Sequence, residues 1–145
     1  MKILFDIQKS YREPEIHICC DKRSEETIRI KESVEKLFDR KITAYKNHEM
    51  KSVGLRHVVR IFSESKKVYL RTADDTYEVR ERLYTLDSEL PEKEFVRISN
   101  SEIVNVSMIE KLDMGYAGTI RIFMENGDEA FVSRRYVSKI REVLG

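Results

Sequence analysis

The pair Asn126-Gly127 constrains this chain more than any other feature. Both residues reach positive φ at little cost, and an Asn-Gly pair between apolar-alternating segments specifies a tight type I′ β-turn. Thr119 to Met124 and Asp128 to Val132 supply the two arms. An isolated hairpin is marginal in water, so further strands are required. The chain provides them: Ile42 to Lys46, a short helical turn and strand within Leu55 to Phe62, and a hairpin of Val68 to Thr72 with Thr76 to Arg80 across Asp74-Asp75. Helical spacing appears twice in this region. Arg82 to Leu90 carries Leu83, Leu86 and Leu90 on one stripe and stops at Pro91, and a final helix from Arg134 to about Leu144 turns Val137, Ile140 and Leu144 inward. The pattern predicts a β-rich α+β fold with short helices.

The first 41 residues read differently. Lys2 to Gln8 alternates with Ile3, Phe5 and Ile7 on one face, and Glu15 to Cys20 places Ile16 and Ile18 on one side, so both are expected to be strands. Ser24 is a helix cap followed by Glu25 and Glu26, which favour the positive end of the helix dipole. Ile30, Val34, Leu37 and Phe38 then recur at helical spacing. That stripe is expected to pack on the two strands, with a partner-facing or homodimer-forming surface as the alternative. The organisation is therefore a small β-β-α appendage over 1–41 and a larger unit over 42–145.

The 145 residues suffice for one ordinary domain with such an appendage. No apolar run approaches the ~20 residues of a membrane span, and no signal-peptide core opens the chain, so a cytoplasmic protein is expected. Cys19 and Cys20 are adjacent, which suits neither a zinc knuckle nor a CxxC pair, and reduced, partly buried thiols are the expectation. His17, His48 and His57 are scattered, without metal-ligand or catalytic spacing. With no Gly-rich phosphate loop, metal cluster or nucleophile elbow, the sequence argues against an enzyme and calls for no cofactor.

Two stretches invite a binding function. Phe95 to Asn105 sets apolar Phe95, Ile98, Ile103 and Val104 around the turn-prone tip Ser99-Asn100-Ser101. Arg97 at the base and Asn100 at the crest are a planar donor fork and an amide able to pair with an adenine edge. Asn105 is expected to tie the loop to backbone. In Phe131 to Val137, strand residues lead through a Ser cap into a helix whose first turn holds Arg134 and Arg135. Cations there oppose the macrodipole at roughly 0.3–1 kcal/mol, so they await either an external phosphate or surface acids. Lys66 and Lys67 end a polar loop and serve equally as phosphate contacts or solvated lysines. A net charge of +1 is low for a nucleic-acid binder, so any contact must come from local patches.

Together, Phe95 to Asn105, the Asn126-Gly127 hairpin and Val132-Ser-Arg-Arg-Tyr-Val137 resemble the LytTR family of bacterial DNA-binding domains, from about Ile42 to the C-terminus. The resemblance implies an elongated multi-sheet β domain whose loops enter successive major grooves of double-stranded DNA at promoter repeats. It assigns Asn100 and Arg135 to bases, Arg134, Ser99 and Ser101 to phosphates, and Lys66 and Lys67 to the flanks. A histidine found in the Lys66 loop of some members is absent here, with Val68 nearest. Most members follow a receiver domain, for which the residues ahead of Ile42 are too few. That leaves constitutive activity set by expression level or control by a separate protein binding the appendage; the resemblance favours the second, with a membrane protein encoded nearby as the regulator. A protein-interaction module that keeps the fold without binding DNA is the rival reading; the DNA reading expects Lys66, Asn100 and Arg135 on one exposed face not neutralised by Glu64 and Glu102, and selective, salt-sensitive duplex binding.

Overall fold

The computed structural model describes residues 1–115 and 118–145 and divides the chain into two compact units, Met1–Asp39 and Arg40–Gly145. The second unit is β-rich. Its strands are β1 (Lys41–Lys46), β2 (Glu49–Gly54), β3 (Arg60–Glu64), β4 (Lys67–Arg71), β5 (Thr76–Val79), β6 (Phe95–Ser99), β7 (Glu102–Asn105), β8 (Ile109–Asp113), β9 (Ile120–Met124) and β10 (Glu129–Val132). The first seven form one antiparallel sheet in the order β2-β1-β5-β4-β3-β7-β6, and the last three a second sheet in the order β10-β9-β8.

At β6 and β7 the larger sheet is covered on both faces, and alternation there sorts residues between two cores. Neighbours Ile103 and Val104 on β7 enter different clusters, as strand geometry requires. One cluster joins Ile61, Leu70 and Phe95 to Leu83 and Leu86 of helix α2 (Leu83–Glu89). The other joins Val96, Ile98 and Val104 to Ile120, Ile122 and Met124 of the smaller sheet and Ile140 of helix α3 (Val137–Leu144). Asn105 is the one buried polar residue named among these cores: its Nδ2 donates to the Val58 carbonyl at 2.8 Å, while its Oδ1 accepts from the amide and hydroxyl of Ser107. It therefore anchors strand ends rather than the loop tip.

The Asn126-Gly127 hairpin forms with Gly127 at φ +91°. Two other tight turns are less conventional: Asn47-His48 and Ser65-Lys66 all have positive φ without glycine. The sequence predicts a loop with two glycines over Asp113 to Gly118; its Tyr116 and Ala117 lie outside the described residues. Arg134 and Arg135 sit in a 3-10 turn (Arg134–Tyr136) that precedes α3, and the Ser133 side chain makes no cap bond.

In the first unit, helix α1 (Glu25–Phe38) begins at Ser24 with a reciprocal Ser24–Thr27 capping box. The expected strands Lys2 to Gln8 and Glu15 to Cys20 do not form: neither enters a ladder, because alternation makes a strand only where a partner satisfies its backbone. The expected packing of the α1 stripe is likewise not met, since α1 buries no residue. Cys19 and Cys20 are exposed rather than partly buried, for the same lack of a covering layer. Among the described residues no helix is long and apolar enough to cross a membrane.

Candidate nucleic-acid interface

Strand register brings the scattered basic and polar loops to one end of the large sheet. β3 runs beside β4 with Glu64 opposite Lys67, and beside β7 with Phe62 opposite Glu102. The β3–β4 turn, Ser65-Lys66, thus emerges at the same end as the β6–β7 tip, Asn100-Ser101. Two main-chain bonds seal the junctions. The Ser63 amide donates to the Ser101 carbonyl at 2.8 Å, and the Ser133 amide donates to the Ile98 carbonyl at 2.8 Å, placing the arginine turn beside the end of β6.

Each expected residue has a definite place there. Asn100 is exposed at the tip, and the Tyr136 hydroxyl donates to its Oδ1 at 3.0 Å. That bond fixes the amide and leaves Nδ2 as the outward donor. Arg134 and Arg135 are exposed and pair with no acid among the described residues; the Arg135 guanidinium lies 5.9 Å from the Tyr136 ring centre. Lys66 is exposed, held at φ +66°. Lys67 reaches Glu78 at 3.5 Å, an exposed pair too weak to withdraw it from a phosphate.

The other three expected contacts are already engaged. Arg97 donates to the carbonyls of Ser99 and Asn100, at 3.1 and 2.7 Å, and faces Asp87 of α2 at 3.4 Å. It braces the tip from behind, leaving a smaller share of its fork for an external group. Ser99 and Ser101 share a hydroxyl contact of 3.3 Å, and the Ser101 amide donates to the Ser99 hydroxyl at 3.2 Å.

The two nearby acids do not ion-pair with Lys66, Arg134 or Arg135 among the described residues. Glu64 is exposed and ion-pairs with none of the described residues. Glu102 turns inward to Arg60 at 3.1 Å, Arg60 also binds Asp128 at 2.8 Å, and Arg71 meets Asp128 at 3.2 Å. Burial pushes the Glu102 carboxyl above its ordinary range, against the charge and hydrogen bond of Arg60. Burial also pushes Asp128 upward, but bonds from Arg60 and Asn126 and the charges of Arg60 and Arg71 outweigh it and hold the carboxyl low. This network ties the Asn126-Gly127-Asp128 turn to the large sheet. Tyr136 and Arg60 were the residues that motif reading missed; Tyr136 sits directly after the two arginines, which is the signal that was there to use.

The sequence over residues 48–145 matches the model of the LytTr DNA-binding domain. The chain belongs to that family. Similar proteins include uncharacterized HTH-type transcriptional regulators of Staphylococcus aureus, from strains NCTC 8325 and COL, each 34% identical over 103 residues, 71% of this chain and 69% of theirs. A solved LytTr DNA-binding domain from Bacillus cereus superposes with a TM-score of 0.69 at 28% identity, covering 72% of this chain and 96% of that one. Among the described residues of this LytTr-family chain, each α-helix is separated from the next by strands.

Proposed function

We propose that this chain is a sequence-specific transcriptional regulator whose loop tips contact successive major grooves of promoter DNA at repeated sites. The observation that supports it best is the convergence of the Ser65-Lys66 turn, the Asn100 tip and the Arg134-Arg135 turn at one end of the sheet, with Lys66 and both arginines unpaired among the described residues. Arg135 is the base-reading fork, suited to guanine O6 and N7. Asn100, its Oδ1 held by Tyr136, offers a donor to guanine, to thymine O4 or to adenine N7 rather than a bidentate adenine pair. Arg134, Lys66 and Lys67 meet phosphates, and Ser99 and Ser101 add hydroxyl donors. Arg97 contributes mainly by bracing the tip. In this reading the DNA unit is 42–145, and residues 1–41 serve assembly and control, including any membrane-bound regulator.

The test is titration of the purified protein onto a fluorescent duplex from upstream of its own gene, against scrambled duplex and rising salt. Selective binding that weakens steeply with salt is the expected result. Equal or absent binding to both duplexes, with the folded state verified, overturns the reading in favour of a protein-interaction module.

A further inference from the structure

The Met1–Asp39 unit exposes an apolar surface that a soluble single chain has little reason to keep. Not one residue of α1 is buried, and Phe5 is 95% exposed, Ile3 and Ile7 88% each, and Leu37 80%. Met1, which precedes the Lys2 to Gln8 arm, lines an open groove of about 380 Å³ with Ile30, Val34 and Leu37 of the helix stripe. Met1, Ile3, Leu4, Phe5, Ile7, Ile16, Ile18, Leu37 and Phe38 are all exposed. Leaving out Leu4, which alternation turns to the other face, they offer on the order of 700 Å² per copy at roughly 120 Å² for a fully exposed side chain, close to the share one partner contributes to a standard stable interface.

We propose that the occupant is a second copy of this chain, with the Lys2 to Gln8 segments of two protomers pairing antiparallel about a two-fold axis at Phe5. The sequence of the arm is self-complementary under that operation. Phe5 faces Phe5 of the other copy, Ile3 faces Ile7, Leu4 faces Asp6 and Lys2 faces Gln8. The apolar pairs fall on one face, toward the α1 stripes, and the two backbones satisfy each other as an isologous interface demands. This pairing also accounts for strand-like alternation in a segment that joins no ladder within its own chain. It is independent of DNA recognition, since it can be read without DNA.

The test is sedimentation of the full chain with Cys19→Ser and Cys20→Ser, alone and with Phe5→Asp. A species of twice 17.2 kDa that Phe5→Asp converts to monomer, with the β-sheet circular dichroism signal unchanged, is the expected result. In the same background, Phe5→Cys is expected to cross-link two copies on mild oxidation and Leu4→Cys to do so far less, because position 4 faces position 6. A monomer at all micromolar concentrations, a dimer that survives Phe5→Asp, or equal cross-linking at positions 4 and 5 overturns the proposal.

Discussion

Replacing Arg60 by Met tests whether the buried charge network holds the smaller sheet's hairpin to the larger sheet. Among the described residues Arg60 alone bridges both acids: its Nε meets Asp128 and its Nη1 meets Glu102, with side chains between 15% and 19% exposed. Removing one partner of a buried ion pair costs ~3–5 kcal/mol, chiefly because the other charge is left uncompensated. Asp128 keeps Arg71, and all three groups retain some solvent. The lower end applies, so we expect a loss of about 2–3 kcal/mol near neutral pH, with Met preserving most of the apolar stem.

The pH dependence has a definite sign. Glu102 sits above its ordinary range because of burial, and Arg60 supplies the opposing pull. Without Arg60 the carboxyl rises further. The penalty of ionised Glu102 is fully present above that raised value and is relieved as pH falls through it. Asp128, held low, loses its stabilising contribution only as pH falls through its depressed value, below the unfolded reference of ~3.9. Urea unfolding of the two proteins is thus expected to differ most at about pH 8 and less at about pH 5, closer to the ordinary carboxylate range. Adding Glu102→Gln to Arg60→Met should flatten the difference. A loss under ~1 kcal/mol, or one equal at both pH values, refutes the reasoning.

Other substitutions probe the site and the core. Asn105→Ala, which strands the Val58 carbonyl and the Ser107 amide, is expected to cost about 2–4 kcal/mol in chemical denaturation. Lys66→Gly relieves a left-handed residue, so stability should hold or rise by up to about 1 kcal/mol while the salt slope of DNA binding falls by about 1. Tyr136→Phe should leave stability within about 0.5 kcal/mol, yet broaden base preference at the position Asn100 reads, as followed by a panel of single-base duplex variants. Arg135→Ala is expected to weaken specific binding by about 1–3 kcal/mol, with scrambled DNA much less affected in the same titration.

What the sequence disclosed of the fold depended on how openly each turn declares itself. Asn126-Gly127 announces its type I′ geometry, and its hairpin was readable. Ser65-Lys66 and Asn47-His48 adopt positive φ without glycine, and β2 (Glu49–Gly54) buries only Val53, so no alternation marks it. At the site, residue type picked out Asn100, Arg134, Arg135 and Lys66, because exposed donors at a turn need no tertiary information to be noticed. Partnership was not readable in the same way. Arg60 and Asp128 lie 68 positions apart, and nothing local to either tells that they meet. Arg97 is hidden for a different reason: its carbonyl partners lie only two and three residues on, but they come within reach beside a register shift between Arg97 and Ser99 that no residue type marks.

The Lys2 to Gln8 segment carries that reasoning one step further. Alternation reports that a segment has one apolar face, not that its own chain supplies the neighbour. β10 shows the satisfied case: Ala130 and Val132 are buried against a partner strand, and the exposed Phe131 lies on the other side near Arg121. Ile3, Phe5 and Ile7 show the same periodicity with every member exposed. A chain that held this pattern without a use would carry an aggregation-prone edge, which proteins ordinarily break with a lysine or proline inside the strand. Here the one acid inside the segment, Asp6, falls by alternation on the face opposite Ile3, Phe5 and Ile7, so the apolar face runs unbroken between Lys2 and Lys9, the arrangement expected when pairing is wanted and must stop after a few residues.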